Sequence, residues 1–301
     1  MLSEFELIRK YFDRPARNAV LGVGDDAALL RPAAGMELAV STDLLLEGRH
    51  FRAGADARKL GHKALAVNLS DMAAMGAAPR WATLALALPR ADERWLAGFS
   101  RGFFALARRF GVALVGGDTT RGRLALCVTI LGEVPRGKAL RRDGARPGDA
   151  IWVSGQLGGA AYGLTSRDSK AARRLHTPQP RVELGLRLRG IATSAIDVSD
   201  GFAQDLGHIL ERSGVGAIVR YDRLPKFRIC DPGLQRRCVL SGGDDYELVF
   251  TARPGARVDA IARALGLRLS RVGSIERRRG LRILDARGRA MRAGRGYDHF
   301  A

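Results

Sequence analysis

Short apolar runs of strand length alternate with amphipathic runs of helix length through both halves of this 301-residue chain. That alternation predicts α/β or α+β layers, with ligands at strand ends. Residues 3–12 read as a helix, with Phe5, Ile8 and Phe12 at helical spacing. A strand at 38–41 and a helix at 57–76 follow, then a strand at 81–88. Asp92 caps a helix that runs to Phe110, and strands at 112–115 and 124–134 close the half. Dense Gly, Pro and charge from Pro135 to Asp149 mark a boundary, giving domains at 1–137 and 138–301. In the second half, strands are expected at 151–153, 195–197, 217–221, 246–251, 269–274 and 281–284. Helices are expected at 160–165, 181–191, 204–212 and 258–265.

Six carboxylate clusters fall at or near these junctions: Gly24-Asp25-Asp26, Ser41-Thr42-Asp43, Ser70-Asp71, Gly116-Gly117-Asp118, Asp197-Val198-Ser199-Asp200 and Gly242-Gly243-Asp244-Asp245. One Asp after a glycine is commonly a turn former or helix cap. Six such places, most with an adjacent Gly, Ser or Thr, point instead to hard oxygen ligands for divalent cations around phosphates. Two carboxylates 4 Å apart repel by about 4 kcal/mol at an effective dielectric near 20. Cations relieve that repulsion, and without them the clusters would repel a nucleotide. Mg²⁺, which keeps waters and needs one or two carboxylates per ion, suits the pattern.

The chain is strongly basic, at +19, and arginine supplies nearly all of the excess. Arg277-Arg278-Arg279 reads as a nucleic-acid patch or as a solvated hairpin. No zinc-finger spacing, RNP-like motif or aromatic-interleaved basic stripe accompanies the charge, so nucleic acid is not the expected partner. No apolar run approaches membrane-spanning length, and the N-terminus lacks a signal-peptide pattern. Cys127, Cys230 and Cys238 form no CxxC pair, so a reduced, cytoplasmic setting is expected without zinc or a disulfide framework.

Neither a GxxxxGK[ST] loop nor the HRD and DFG set of protein kinases is present. Ser154-Gly-Gln-Leu-Gly158-Gly159, between a strand and a helix, reads either as a phosphate cradle or as a plain tight turn. His50 lies in a polar loop beyond a strand, where a substrate contact and an ordinary surface residue are both open. His62 and His208 fall on helices.

Seven stretches then resemble one family in order: GVGDDAALL at 22–30, STDLLLEGRHF at 41–51, KALAVNLSDMAAMGA at 63–77, GGDTTRG at 116–122, AIDVSDGF at 195–202, SGGDDYEL at 241–248 and GYDHF at 296–300. The set closely resembles thiamine-monophosphate kinases, of the aminoimidazole ribonucleotide synthetase superfamily. The resemblance implies a two-domain architecture: an N-terminal sheet domain that dimerises, a C-terminal α/β domain, and ATP in a cleft between them. It implies ATP-dependent phosphorylation of thiamine monophosphate to thiamine diphosphate by direct in-line transfer. Matched motif by motif, Asp26, Ser41, Thr42, Asp43, Asp71, Asp118, Asp197 and Asp200 resemble the magnesium ligands. Gly117, Asp118, Arg142 and Ser199 resemble nucleotide contacts, and His50 and Asp244 substrate contacts. No side chain is implied as a general acid or base: Asp71, Asp118 and Asp200 act through bound metal. Two departures stand out. Asp244 replaces the usual Glu, and Gly294 replaces an aromatic residue before the terminal motif, leaving Tyr297 and Phe51 as the aromatics for that edge.

Overall fold

The structure, a computed structural model, describes residues 3–294, 296–297 and 299–300. The chain divides into two compact units, Met1–Met72 with Ala77–Gly137, and Ala73–Gly76 with Lys138–Ala301.

In the first unit Ser3 and Glu6 form a reciprocal capping box that starts α1 (Glu4–Tyr11). The sheet holds β1 (Met36–Leu46), β2 (Ala78–Leu88), β3 (Ala113–Arg121) and β4 (Ala125–Pro135) in the order β1-β4-β2-β3. Only the β2–β3 pair is parallel; β4 runs antiparallel to both of its neighbours. One face of the sheet is buried, with Leu45, Leu84, Leu86, Leu126, Val128 and Ile130 on it. On β1 the opposite face stays open: Met36, Leu38, Val40, Leu44 and Leu46 are all exposed.

Two long helices, α2 (Ala57–Ala74) and α3 (Glu93–Phe110), complete this unit. Asp92 caps α3 as expected, accepting from Trp95 N at 3.0 Å. The two helices touch backbone to backbone. A Cβ at Gly61 would collide with the Phe99 carbonyl, and one at Gly102 with the Arg58 carbonyl.

The second unit is a seven-stranded mixed sheet, order β11-β10-β7-β9-β5-β8-β6. Its strands are β5 (Ala150–Ser154), β6 (Ala192–Asp197), β7 (Gly216–Arg220), β8 (Leu248–Ala252), β9 (Leu269–Glu276), β10 (Gly280–Leu284) and β11 (Ala290–Met291). Its helices are α4 (Gly159–Gly163), α5 (Ser169–His176), α6 (Val182–Leu188), α7 (Phe202–Ser213), α8 (Pro232–Ser241) and α9 (Val258–Leu265). Ile151, Val153, Phe202, Leu206, Ile209, Val249 and Val272 form its core.

Several expectations change. β1 continues five residues beyond Ser41, to Leu46, and β3 continues to Arg121, so two aspartate clusters lie inside strands and not at their ends. Tyr246 is not in a strand: it has φ of 49°, and β8 begins at Leu248. Helices α5 and α8, capped by Asp168 and Asp231, were not among the expected helices.

Adding a methyl group at Gly102 must push α2 and α3 apart, because the obstacle is backbone. Gly102→Ala is therefore expected to destabilise the protein by about 1–3 kcal/mol, as overpacking does. A denaturant-unfolding midpoint lowered relative to the parent checks this.

Candidate active site

The strand pleat decides which residues of the first unit meet. In β1, Ser41 and Asp43 lie in register with Ile130 and Val128 of the buried face, whereas Thr42 pairs with Thr129 on the open face. The Thr42 and Thr129 hydroxyls are 2.9 Å apart. Asp71, near the end of α2, accepts a hydrogen bond from Ser41 Oγ at 2.5 Å. Ser41, Asp43 and Asp71 thus share the helix-covered face, and the Thr42 side chain is turned from them.

Asp118 is exposed on β3, in register with Ala85, which in turn pairs with Cys127 and, through it, Leu44. β1 and β3 are opposite edges of the sheet. At roughly 4.8 Å per strand, Asp118 is about 14 Å from β1. Gly117 has φ of 148°, and a Cβ there would strike the Leu84 carbonyl, so close strand pairing already requires this glycine. Asp26 is exposed, in a turn closed when Asp25 Oδ1 accepts from its backbone N at 2.9 Å. His50 Nδ1 accepts from Leu46 N at 2.9 Å, and the buried Lys63 donates to the His50 carbonyl at 3.4 Å.

In the second unit, β6 ends at Asp197 and the chain turns through Val198, Ser199, Asp200 and Gly201 into α7. Every main-chain polar group of residues 198–201 has a protein partner. Val198 N donates to the Glu247 carbonyl, and the Val198 carbonyl accepts from Tyr246 N, both at 2.8 Å. The Ser199, Asp200 and Gly201 carbonyls accept from Asp244 N, Tyr297 N and Asp205 N respectively. The three remaining N–H groups, of Ser199, Asp200 and Gly201, all donate to Asp205 Oδ2, at 3.1, 3.2 and 3.0 Å.

Burial, with help from Asp197 and Asp200, pushes the Asp205 carboxyl up to about 7. Burial also raises Asp200, which feels His299, His208 and Asp244. Asp244 therefore lies by Asp200. It has φ of 66°, and its Oδ1 accepts from the Tyr246 hydroxyl at 2.9 Å. Arg142 is placed elsewhere: its carbonyl accepts from Ser213 Oγ, at the far end of α7. Twelve helical residues put that end about 17 Å from Phe202, where the loop enters the helix.

The 154–159 loop does not form an open phosphate cradle. Gly158 N and Ala160 N donate to the buried Asp245 carboxyl group at 2.5 and 3.2 Å, so an internal side chain occupies the place. Glu247, 1% exposed, accepts from Arg181 Nε and Nη2, both at 2.6 Å, and from Ser154 Oγ at 2.6 Å. Reading the sequence missed Asp205, Tyr246 and Glu247. Asp205 offered a signal, an acidic residue one turn into a helix that opens with Phe202; Tyr246 and Glu247, which directly follow Asp244-Asp245, offered none. Gly294 accepts from Ser241 Oγ through its carbonyl, and Asp298 of the terminal motif lies outside the described residues.

All the aspartate and serine positions offer hard oxygen donors, the chemistry a magnesium ion takes. The Ser41–Asp71 pair with Asp43 on its face, and the Asp197–Asp200 loop, fit that donor set. Among the described residues no three His, Cys, Asp or Glu side chains converge on one point.

Two family models cover most of the chain. Residues 24–134 match the N-terminal domain of AIR synthase related proteins, and 146–285 match their C-terminal domain. The chain is a two-domain α/β protein of that superfamily. Thiamine-monophosphate kinase of Salmonella typhimurium is 45% identical over 319 residues, covering 99% of this chain and 98% of that one. The crystal structure of thiamine-monophosphate kinase from Stenotrophomonas maltophilia is 47% identical, with a TM-score of 0.87 over 96% of this chain and 98% of its own. A structure described as AaThiL complexed with AMPPCP and TMP is 27% identical, with a TM-score of 0.78 over 99% and 97%. The chain belongs to the thiamine-monophosphate kinase family.

The buried Asp245 has a measurable consequence. Burial raises its carboxyl from an ordinary 3.8 to about 7, against the two amides that lower it. Between pH 4 and 7 the folded chain therefore keeps a proton that the unfolded chain has released. Unfolding free energy should fall as pH rises through that window and flatten above it, with an Asp245 contribution of up to about 4 kcal/mol. Urea unfolding across this pH range should show a shallower fall in Asp245→Asn.

Proposed function

We infer that this chain phosphorylates thiamine monophosphate to thiamine diphosphate, with ATP as the phosphoryl donor. The observation that carries the reading is end-to-end identity of 45–47% with proteins of that activity. The chemistry of the candidate residues agrees with it. A phosphate monoester has a second pKa near 6, so the acceptor is mostly a dianion at pH 7 and needs no general base. Direct in-line attack on the γ-phosphorus then depends on positioning two anions.

Asp26, Ser41, Thr42 (through its carbonyl, since its side chain turns away), Asp43, Asp71, Asp118, Asp197 and Asp200 are the residues we assign to hold magnesium. Bound magnesium would screen the charge between donor and acceptor and neutralise what develops in transfer. Gly117, Asp118, Arg142 and Ser199 are assigned to the nucleotide, and His50 and Asp244 to thiamine monophosphate. With its Nδ1 held by Leu46 N, His50 presents a fixed ring. The Tyr246 hydroxyl orients the shorter Asp244 carboxylate.

We also propose a homodimer formed through the open sheet face. Met36, Leu38, Val40, Leu44 and Leu46 make an apolar stripe along an edge strand, interrupted only by Thr42, the kind of surface soluble proteins cover. A cytoplasmic setting suits Cys127, Cys230 and Cys238, none in a disulfide, and among the described residues no helix is long and apolar enough to cross a membrane.

Purified protein given Mg-ATP and thiamine monophosphate should yield thiamine diphosphate and ADP in equal amounts. Absence of product, with ATP turned over on another acceptor, would overturn the assignment. Asp71→Asn and Asp118→Asn should each lower kcat by about a hundredfold or more, the scale of losing a transition-state charge contact, with unchanged circular dichroism. For the dimer, Val40→Asp with Leu44→Asp should sediment as a monomer where the parent sediments as a dimer. A parent monomer would sink that proposal.

A further inference from the structure

Asp205 differs from the other aspartates around it. It is 2% exposed, sits in the first turn of α7, and turns one carboxylate oxygen to three consecutive amides of the loop before the helix. Its own N–H holds the Gly201 carbonyl, so this residue satisfies four of the eight main-chain groups from Val198 to Gly201. The other four are held by Asp244, Tyr246, Glu247 and Tyr297. Gly201, with φ of 127°, lies so close to Ser241 that a Cβ there would approach the Ser241 carbonyl carbon to 2.8 Å. The loop is tied on every side, and its two polar side chains, Ser199 and Asp200, are carried on a backbone with no free polar group.

An oxygen already accepting three N–H bonds has little capacity left for a cation. Asp205 Oδ2 is thus committed to the loop that carries Ser199 and Asp200. We propose that Asp205 is the positioning residue of this site: it clamps the Ser199–Gly201 backbone and so sets where Ser199 and Asp200 are presented. The inference rests on the reading of Asp200 as a magnesium ligand, but the clamp itself is measurable without it.

Three variants test it. Asp205→Ala removes the acceptor, Asp205→Asn keeps an oxygen in the same place without charge, and Asp205→Glu keeps the charge but moves the oxygen by one methylene. In Asp205→Ala, hydrogen exchange at the amides of residues 199–201 should accelerate by about tenfold or more, as buried bonds are lost. The Mg²⁺ concentration for half-maximal binding of a nonhydrolysable ATP analogue, and for turnover, should rise by about tenfold to a hundredfold. Asp205→Asn should restore most of the protection and bring the midpoint back toward the parent. Asp205→Glu should shift the midpoint despite its charge, which a purely electrostatic role would not do.

Unchanged exchange at these amides overturns the proposal, as does an unchanged Mg²⁺ midpoint where exchange is faster. If Asp205→Ala does not fold, Asp205→Glu carries the same two readouts. Normal turnover by Asp200→Asn would instead remove the ligand reading of Asp200, and the exchange result would still decide whether Asp205 is the clamp.

Discussion

Desolvated carboxylate charge is the constraint around which the second unit is arranged. Asp149, Asp197, Asp205, Asp245 and Glu247 are each buried to at least nine-tenths. A buried carboxylate without partners costs far more than any one contact returns. The unit answers with main-chain amides and guanidinium groups. Asp149 accepts from Arg146 N and Thr193 Oγ1, Asp205 from three amides, and Asp245 from two. Glu247 takes both forks of Arg181. Removing one member of such a pair leaves the other buried and unsatisfied, a loss of about 3–5 kcal/mol. Loops that are ordinarily solvated are thereby tied from within.

That solution explains how much of the molecule could be read in advance. Periodicity located most strands and helices, because apolar alternation is a local property of the chain. Asp92 announced its cap through spacing alone, whereas the Ser3–Glu6 capping box became evident only in the structure. What local pattern cannot carry is register. Ser41, Thr42 and Asp43 are consecutive, yet the pleat sends Thr42 to the open face and leaves the other two beside Asp71. Asp118 follows two glycines much as Asp244 does. The sheet order nevertheless sets it at the opposite edge from Asp43, a fact fixed by which strands pair.

The glycines had two explanations and the structure separates them. Gly117 admits the Leu84 carbonyl, and Gly201 admits the backbone at Ser241. Gly117 sits where the resemblance implies a nucleotide contact, and both are already required by packing. Their presence is therefore weaker support for a ligand than the aspartates beside them. The reverse holds for the 154–159 loop, where Gly158 N, with Ala160 N beyond it, does point at a carboxyl group, that of Asp245 of the same chain.

Adjacent acidic residues divide their work by backbone conformation. Asp244 and Tyr246 both adopt positive φ, a state costing on the order of 1–3 kcal/mol at a non-glycine position. Asp244 N and Tyr246 N bond to the Ser199 and Val198 carbonyls, which holds the pair in place. The two left-handed residues flank Asp245. Its carboxylate turns inward to the Gly158 and Ala160 amides, while that of Asp244, only partly buried, stays beside Asp200 and the Tyr246 hydroxyl. The strain thus has a structural purpose: it lets two consecutive aspartates serve the fold and the site separately, which a regular strand would reach only by alternating faces of a sheet.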